Sequence, residues 1–478
     1  MVLVGSPSQM AVFEWQGIML HNWLSIAYNL PNLILIAAIH RTTVTPSVQQ
    51  ELSPLQRERI YRRNFGFFLA DNVLFMVAMS ILGATTVIPD FVRHLTDSQI
   101  LIGLSGTLFT IGFTLPQLFI ARFIVGHERK KWWFVGPNIP VRFVILTFAG
   151  IAVLLGKDRP GLVLIAFFVC YGIAGFGDGL VGVPWSDLIG TSLDHRWRAR
   201  MLGLTYAITG VIMLLITPLI ALVLSPAGPG FPNNYAILFG AAGLLFASTI
   251  PLGMFFHELP GGKAVEKLPA LSEFLPDLGR LLRDDLPFRS YIIVRMFTNL
   301  FLMAAPFYVV YATESLGLSS DVAVPVLLAM QTVGGVVGAL AYTWLGVRNN
   351  LLAIQISLAG IALLPICALL ARVVGPVPLY LGFLVYGLSI NSLNSGFQHW
   401  IVSYGHVDQR PIYVGLSNTL IALISLASPI LGGVIAQYLG YEPLFVIALV
   451  MTVAALFVTL RSMREEPVAD DLEQSEAS

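Results

Sequence analysis

Four formally charged side chains stand inside long apolar runs of this 478-residue chain: Asp71, Arg142, Asp178 and Arg295. An ionisable group surrounded by apolar sequence is costly, and it persists where it pairs, faces water or handles an ion or a ligand. A poorly solvated carboxyl can take up and release a proton near neutral pH, unless a cation pairs with it and holds it ionised. Asp178 fits that description best, with Arg142 as the group that could pair with it, and Asp71 is the second candidate. A static ion pair is the alternative for both. Uncharged polar residues extend the set. Asn391, Asn394 and Gln398 follow at i, i+3 and i+7, which is one helical face. Asn299 lies one turn beyond Arg295, and Gln331 sits in the next run. These nine residues are the candidate proton-coupling or substrate-binding set.

Other chemistries find little support. Cys170 and Cys367 each lie alone in an apolar run, without metal-ligand spacing. His127-Glu128 and His257-Glu258 lack the second His of a zinc helix, and no Gly-Lys-Ser/Thr phosphate loop occurs. No metal and no cofactor are expected. An integral-membrane enzyme acting on a lipid-linked substrate remains the weaker alternative, beside a non-transporting membrane scaffold. Twenty-seven Lys plus Arg balance twenty-seven Asp plus Glu, so no basic field exists to attract nucleic acid.

The elements that must position these residues follow from hydropathy. The chain is 56% hydrophobic and 11% charged, against about 25% charged in a soluble protein. Twelve runs are long enough to cross a bilayer as helices, at about 65–89, 98–121, 132–155, 161–190, 199–224, 235–256, 291–312, 321–345, 350–371, 377–403, 413–436 and 442–460. The expected fold is an all-α integral membrane protein. Its divisions are an interfacial or disordered extension at 1–56, a six-helix bundle at 57–256 and a central loop at 257–290, then a second six-helix bundle at 291–462 and an acidic disordered tail at 463–478. The apolar stretch Trp23 to Ile39 is interrupted by Asn29, Pro31 and Asn32, so it reads as interfacial rather than as a thirteenth crossing. Twenty-one cations fall on the side of the two chain ends against four on the other. The positive-inside rule therefore makes both ends cytoplasmic and favours a multi-pass plasma-membrane protein.

The two halves echo each other. Gly203-Leu204-Thr205 followed by Thr217-Pro218 corresponds to Gly415-Leu416-Ser417 followed by Ser428-Pro429. Upstream, Trp185 with Asp194-His195-Arg196 corresponds to Trp400 with Asp408-Gln409-Arg410. Such a duplication places a ligand site between the halves near the bilayer midplane. With Arg122, Gly126 and Arg129-Lys130-Lys131 after the second run, and Gly338-Ala339-Leu340-Ala341 in the eighth, residues 57 to 462 resemble the major facilitator superfamily of secondary transporters. Tyr342 stands where that family usually has Asp, and the opening Gly and the Asp of the earlier loop are missing.

The resemblance implies two pseudo-symmetric six-helix bundles that move a small molecule by alternating access, with protons as a candidate coupling ion and a monomer as the working unit. It also implies that runs 1, 4, 7 and 10 line the central cavity. Arg122, Arg129, Lys130, Asp187, Arg196 and Arg200 are then candidates for a cytoplasmic gate, with Asp187 expected to pair with the Arg196, Arg198 or Arg200 segment. At ~1.5 Å per residue Asp178 lies about 18 Å from the cytoplasmic end of its run, near the midplane. Arg295 lies only about 6 Å from its end and could snorkel to the surface. Gly172, Gly175, Gly177, Gly179 and Gly182 around Asp178 serve either close helix packing or bending.

Overall fold

A backbone in lipid must satisfy its own hydrogen bonds, and the apolar runs do so as helices. The computed structural model describes residues 54–124, 130–156, 158–259, 283, 285–346, 348–404 and 410–463. The expectations for the N-terminal extension, for Arg129, for most of the central loop and for the acidic tail lie outside the described residues, as does the side chain of Arg122.

The first crossing is built from α1 (Pro54–Leu82) and α2 (Val87–Arg93). Then follow α3 (Gln99–Ile124), α4 (Lys131–Leu155), α5 (Pro160–Ser192), α6 (His195–Leu224) and α7 (Asn233–Phe255). The seventh crossing joins α8 (Leu286–Phe301), a 3₁₀ turn (Leu302–Ala304) and α9 (Phe307–Glu314). The last five are α10 (Ser320–Leu345), α11 (Asn350–Val374), α12 (Val377–Ser403), α13 (Arg410–Leu439) and α14 (Tyr441–Ser462). Among the described residues, nine crossings are long and apolar enough to span a membrane outright, while α3 and α13 carry shorter apolar stretches. The twelfth, α12, holds the polar face of Asn391, Asn394 and Gln398.

Two crossings are interrupted where the apolar pattern predicts continuous helix. Between α1 and α2, Gly83 adopts φ 51°, which glycine reaches without a Cβ clash. Its carbonyl then accepts the Thr86 and Ile88 amides at 2.9 and 3.1 Å, restarting the helix. In the seventh crossing the 3₁₀ turn precedes Pro306, which has no amide proton to continue the ladder. Both breaks fall in the first helix of a half.

In the first half α3 and α4 pack on α5, and α4 on α7; in the second, α10 and α11 pack on α12, and α8 and α11 on α14. The halves meet along two seams, α3 against α13 and α6 against α10. Glycine lets backbones touch within each half. A Cβ on Gly112 of α3 would lie 2.8 Å from the Phe176 amide nitrogen of α5, and one on Gly175 would lie 2.7 Å from the Phe109 carbonyl. The matching pair in the second half sets Gly334 and Gly338 of α10 against the Leu384 and Leu388 backbone of α12. Close packing is thus what the glycine-rich stretch of α5 provides. Gly338→Ala is expected to cost about 1–3 kcal/mol, because the α12 backbone cannot yield to a methyl group. A lower melting temperature of the purified protein checks this, with Gly203→Ala as a control where nothing lies within 4 Å.

Candidate functional site

Three crossings bring opposite charges together in the first half. Arg142 of α4 places Nη1 2.8 Å from Asp178 Oδ1 of α5, with 6% and 3% of the two side chains exposed. Its guanidinium also lies over Phe75 of α1 and Phe246 of α7, 4.9 and 5.3 Å from the ring centroids. The contact is an ion pair by distance. Asp71 of α1 is also buried. Its Oδ2 accepts the Trp185 indole N–H at 3.3 Å, while Oδ1 has no partner among the described residues. Asp71 interacts electrostatically with both Arg142 and Asp178. The buried group thus holds two carboxylates and one guanidinium, and it carries one excess negative charge when both are ionised. Taking up one proton neutralises it.

The second half uses its charge differently. Arg295 of α8 donates from Nη1 to Ser417 Oγ at 2.8 Å and to Asn418 Oδ1 at 3.3 Å, both on α13. The guanidinium lies beside the Tyr291 and Phe397 rings at 5.8 and 5.9 Å. Asn299 donates to the Arg295 carbonyl at 2.9 Å and accepts from Ser425 at 2.8 Å. These two residues fasten α8 to α13.

A cavity of about 330 Å³ lies between the halves, at the small end of the ~300–1,000 Å³ of small-molecule sites. From the first half, α1 and its break supply Met76, Met79, Ser80, Gly83, Ala84 and Thr85, and α6 supplies Tyr206, Thr209, Gly210 and Met213. From the second half come Leu328, Gln331, Thr332, Gly335 and Val336 of α10, with Gly387, Ile390 and Asn391 of α12. Thr85 Oγ1 reaches Gln331 Oε1 at 3.3 Å, a hydrogen bond that joins the halves. The resemblance implied a lining from runs 1, 4, 7 and 10, whereas the fifth and eighth replace the fourth and seventh. The reason is local: α5 spends its small face on α3, and α8 spends its polar groups on α13. Of the nine sequence candidates, Gln331 and Asn391 line this cavity. Asp71, Asp178 and Arg142 form the buried group, and Arg295 and Asn299 form the strap to α13. Asn394 and Gln398 share the Asn391 face and are exposed.

The gate candidates divide as well. Asp187 lies 2.8 Å from Lys130 Nζ rather than in the arginine segment, and Arg196 and Arg200 are exposed. Lys130 is held there because Glu258, beyond α7, accepts the backbone amides of Lys130 and Lys131 and so closes the start of α4. At the opposite end, buried Asp90 accepts from Arg93 Nε at 2.6 Å and from the Tyr235 hydroxyl, and Arg93 Nη2 donates across the seam to Ser320 Oγ at 2.9 Å. Sequence reasoning missed this latch, the cavity hydroxyls and the Trp185 contact. For Trp185 a signal existed, because it stands one helical face from Asp178 at i+7.

Twelve crossings in two halves, a cavity at their junction lined by apolar and uncharged polar side chains, and a buried charge group in the first half define a multi-pass membrane transporter of a small molecule rather than an enzyme. The chain belongs to the Major Facilitator Superfamily, which it matches over residues 72–429. Sequence comparison with curated proteins gives no match. Among solved structures, the fold is similar to the nucleoside transporter NupG (13% identity, TM-score 0.57, 82% of this chain and 98% of that one). It is also similar to a bacterial homologue of the iron transporter ferroportin in an inward-facing state (12%, 0.59, 86% and 99%). An auto-inhibited peptide transporter of the POT family aligns as well (12%, 0.57, 85% and 99%). At these identities the likeness concerns the fold.

Proposed function

We propose that the protein is a proton-coupled secondary transporter in which residues 57–256 and 291–462 rock about the cavity, and Asp71 carries the coupling proton. The observation behind this reading is the 2.8 Å contact of Arg142 with Asp178. It engages one carboxylate and leaves Asp71, held by an indole rather than a cation, as the group free to change protonation. Gln331 and Asn391 are the substrate-binding members of the sequence set, and Asp178 and Arg142 keep the electrostatic balance around Asp71. Arg295 and Asn299 brace the second half, while Asn394 and Gln398 continue the polar face beyond the cavity. The Lys130 end, with Arg122, Arg129, Asp187, Arg196 and Arg200, is cytoplasmic, as are both chain ends. The protein works as a monomer in the plasma membrane. The three structural neighbours are a nucleoside transporter, a homologue of an iron transporter and a peptide transporter, so they support the fold of a transporter and not one cargo.

Proteoliposomes loaded with a pH-sensitive dye test the reading. An added solute that the protein carries should change the lumenal pH in step with its own uptake. Uptake that proceeds without any proton movement would exclude the coupling.

A further inference from the structure

The cavity has a chemical character that narrows its cargo. Among the described residues that line it, none is Asp, Glu, Lys, Arg or His. Asp71, the formal charge nearest along α1, is turned into the first half toward Trp185. A charged solute entering such a site would surrender its hydration without gaining a counter-ion, which disfavours it at membrane depth.

Hydrogen-bonding capacity is nevertheless open. Ser80 and Thr332 donate their hydroxyl protons to carbonyls of their own helices, Met76 and Leu328, at 2.7 Å each. Gln331 accepts from Thr85 through Oε1, which leaves Nε2 a donor without a partner among the described residues. Asn391 turns Nδ2 toward the Gly335 carbonyl at 3.4 Å. Only the amide nitrogen can face a carbonyl, so Oδ1 is left as an open acceptor. Buried Thr209 has a hydroxyl with no partner among the described residues. The two amides are neighbours: Gly387, one turn before Asn391, packs on the Gln331 backbone, and a Cβ on Gly335, one turn after Gln331, would lie 2.9 Å from Asn391 Nδ2. Across from them stand Met76, Met79 and Met213, flexible and polarisable side chains that adapt to a flat apolar surface.

We propose that this cavity takes an uncharged, compact solute with an apolar or aromatic body and one amide-like edge, which offers an acceptor to Gln331 and a donor to Asn391. The inference rests on the reading of this cavity as the transport site, and it deepens that reading by naming the class of cargo. Recognition follows from geometry and from the absence of charge. A buried polar pair left empty by the wrong solute is costly, so the amides exclude ligands that lack such an edge.

The test uses the full-length protein purified in detergent, with thermal stabilisation by three probes that share one ring and one size: nicotinamide, nicotinate and 3-picolylamine. Nicotinamide should stabilise the protein, and the anionic and cationic analogues should not. Gln331→Leu and Asn391→Leu should each weaken nicotinamide binding roughly ten-fold, the worth of about one buried hydrogen bond. Gly203→Ala, where an added methyl meets nothing within 4 Å and which is outside the cavity lining, should leave it unchanged. Equal or tighter binding of either charged analogue, no stabilisation by nicotinamide, or full binding by both leucine variants overturns the proposal. Because the wild-type comparison among the three probes needs no variant, a leucine variant that fails to fold leaves the proposal testable. The measurement also involves no gradient, so its outcome is separate from that of the proton-coupling experiment.

Discussion

Arg142→Met is expected to lower the stability of the purified protein by about 3–5 kcal/mol, the loss seen when one partner of a buried ion pair is removed. Methionine keeps much of the side-chain volume between Phe75 and Phe246, so the loss reports charge rather than a hole. The cause is the 2.8 Å contact with Asp178, whose buried carboxylate the substitution leaves without its cation in an interior that also holds buried Asp71. The double variant Arg142→Met/Asp178→Leu removes the pair and replaces it with apolar volume, and should recover most of the loss. Melting curves of the two proteins and the wild type in one detergent decide the matter. A single variant as stable as the wild type would show that no ion pair forms.

Asp71→Asn is expected to leave the fold intact and to abolish uphill transport. The amide oxygen of asparagine can still accept the Trp185 N–H, and the substitution removes one buried titrating group without orphaning Arg142, which keeps Asp178. One proton moving down a gradient of one pH unit supplies about 1.4 kcal/mol, a ten-fold accumulation of cargo. The variant should therefore lose that ten-fold factor in proteoliposomes while still equilibrating labelled cargo down its own gradient. Accumulation at the wild-type level would remove Asp71 from the coupling step. Asp178→Asn is a less clean experiment, because it strips Arg142 of its contact and so acts on stability as well.

What the sequence made legible, and what it hid, follows from the physics of each signal. The crossings could be read because lipid demands long apolar runs, and each observed helix overlaps its expected run. The Arg142 and Asp178 partnership was visible as one of two alternatives, since charges in such runs are few enough to enumerate. Their choice depended on how α4 and α5 are rotated, which hydropathy does not record. Asp187 went to Lys130 because Glu258, distant in sequence, draws the start of α4 beside α5. The breaks after Leu82 and Phe301 stayed hidden because Gly83-Ala84-Thr85 and Leu302-Met303-Ala304 have the composition of ordinary membrane helix. Thr85 and Thr209 stayed hidden for a related reason. A hydroxyl on a membrane helix commonly bonds its own backbone, so its availability to a ligand shows only in three dimensions.

The hydrogen bond between Thr85 and Gln331 fixes which end of the glutamine greets a passenger. With Oε1 committed to the opposite half, the amide nitrogen is the end turned to the hollow, so under the proposed reading a passenger must bring an acceptor. The tie across the boundary and the choice of passenger then rest on the two ends of one side chain.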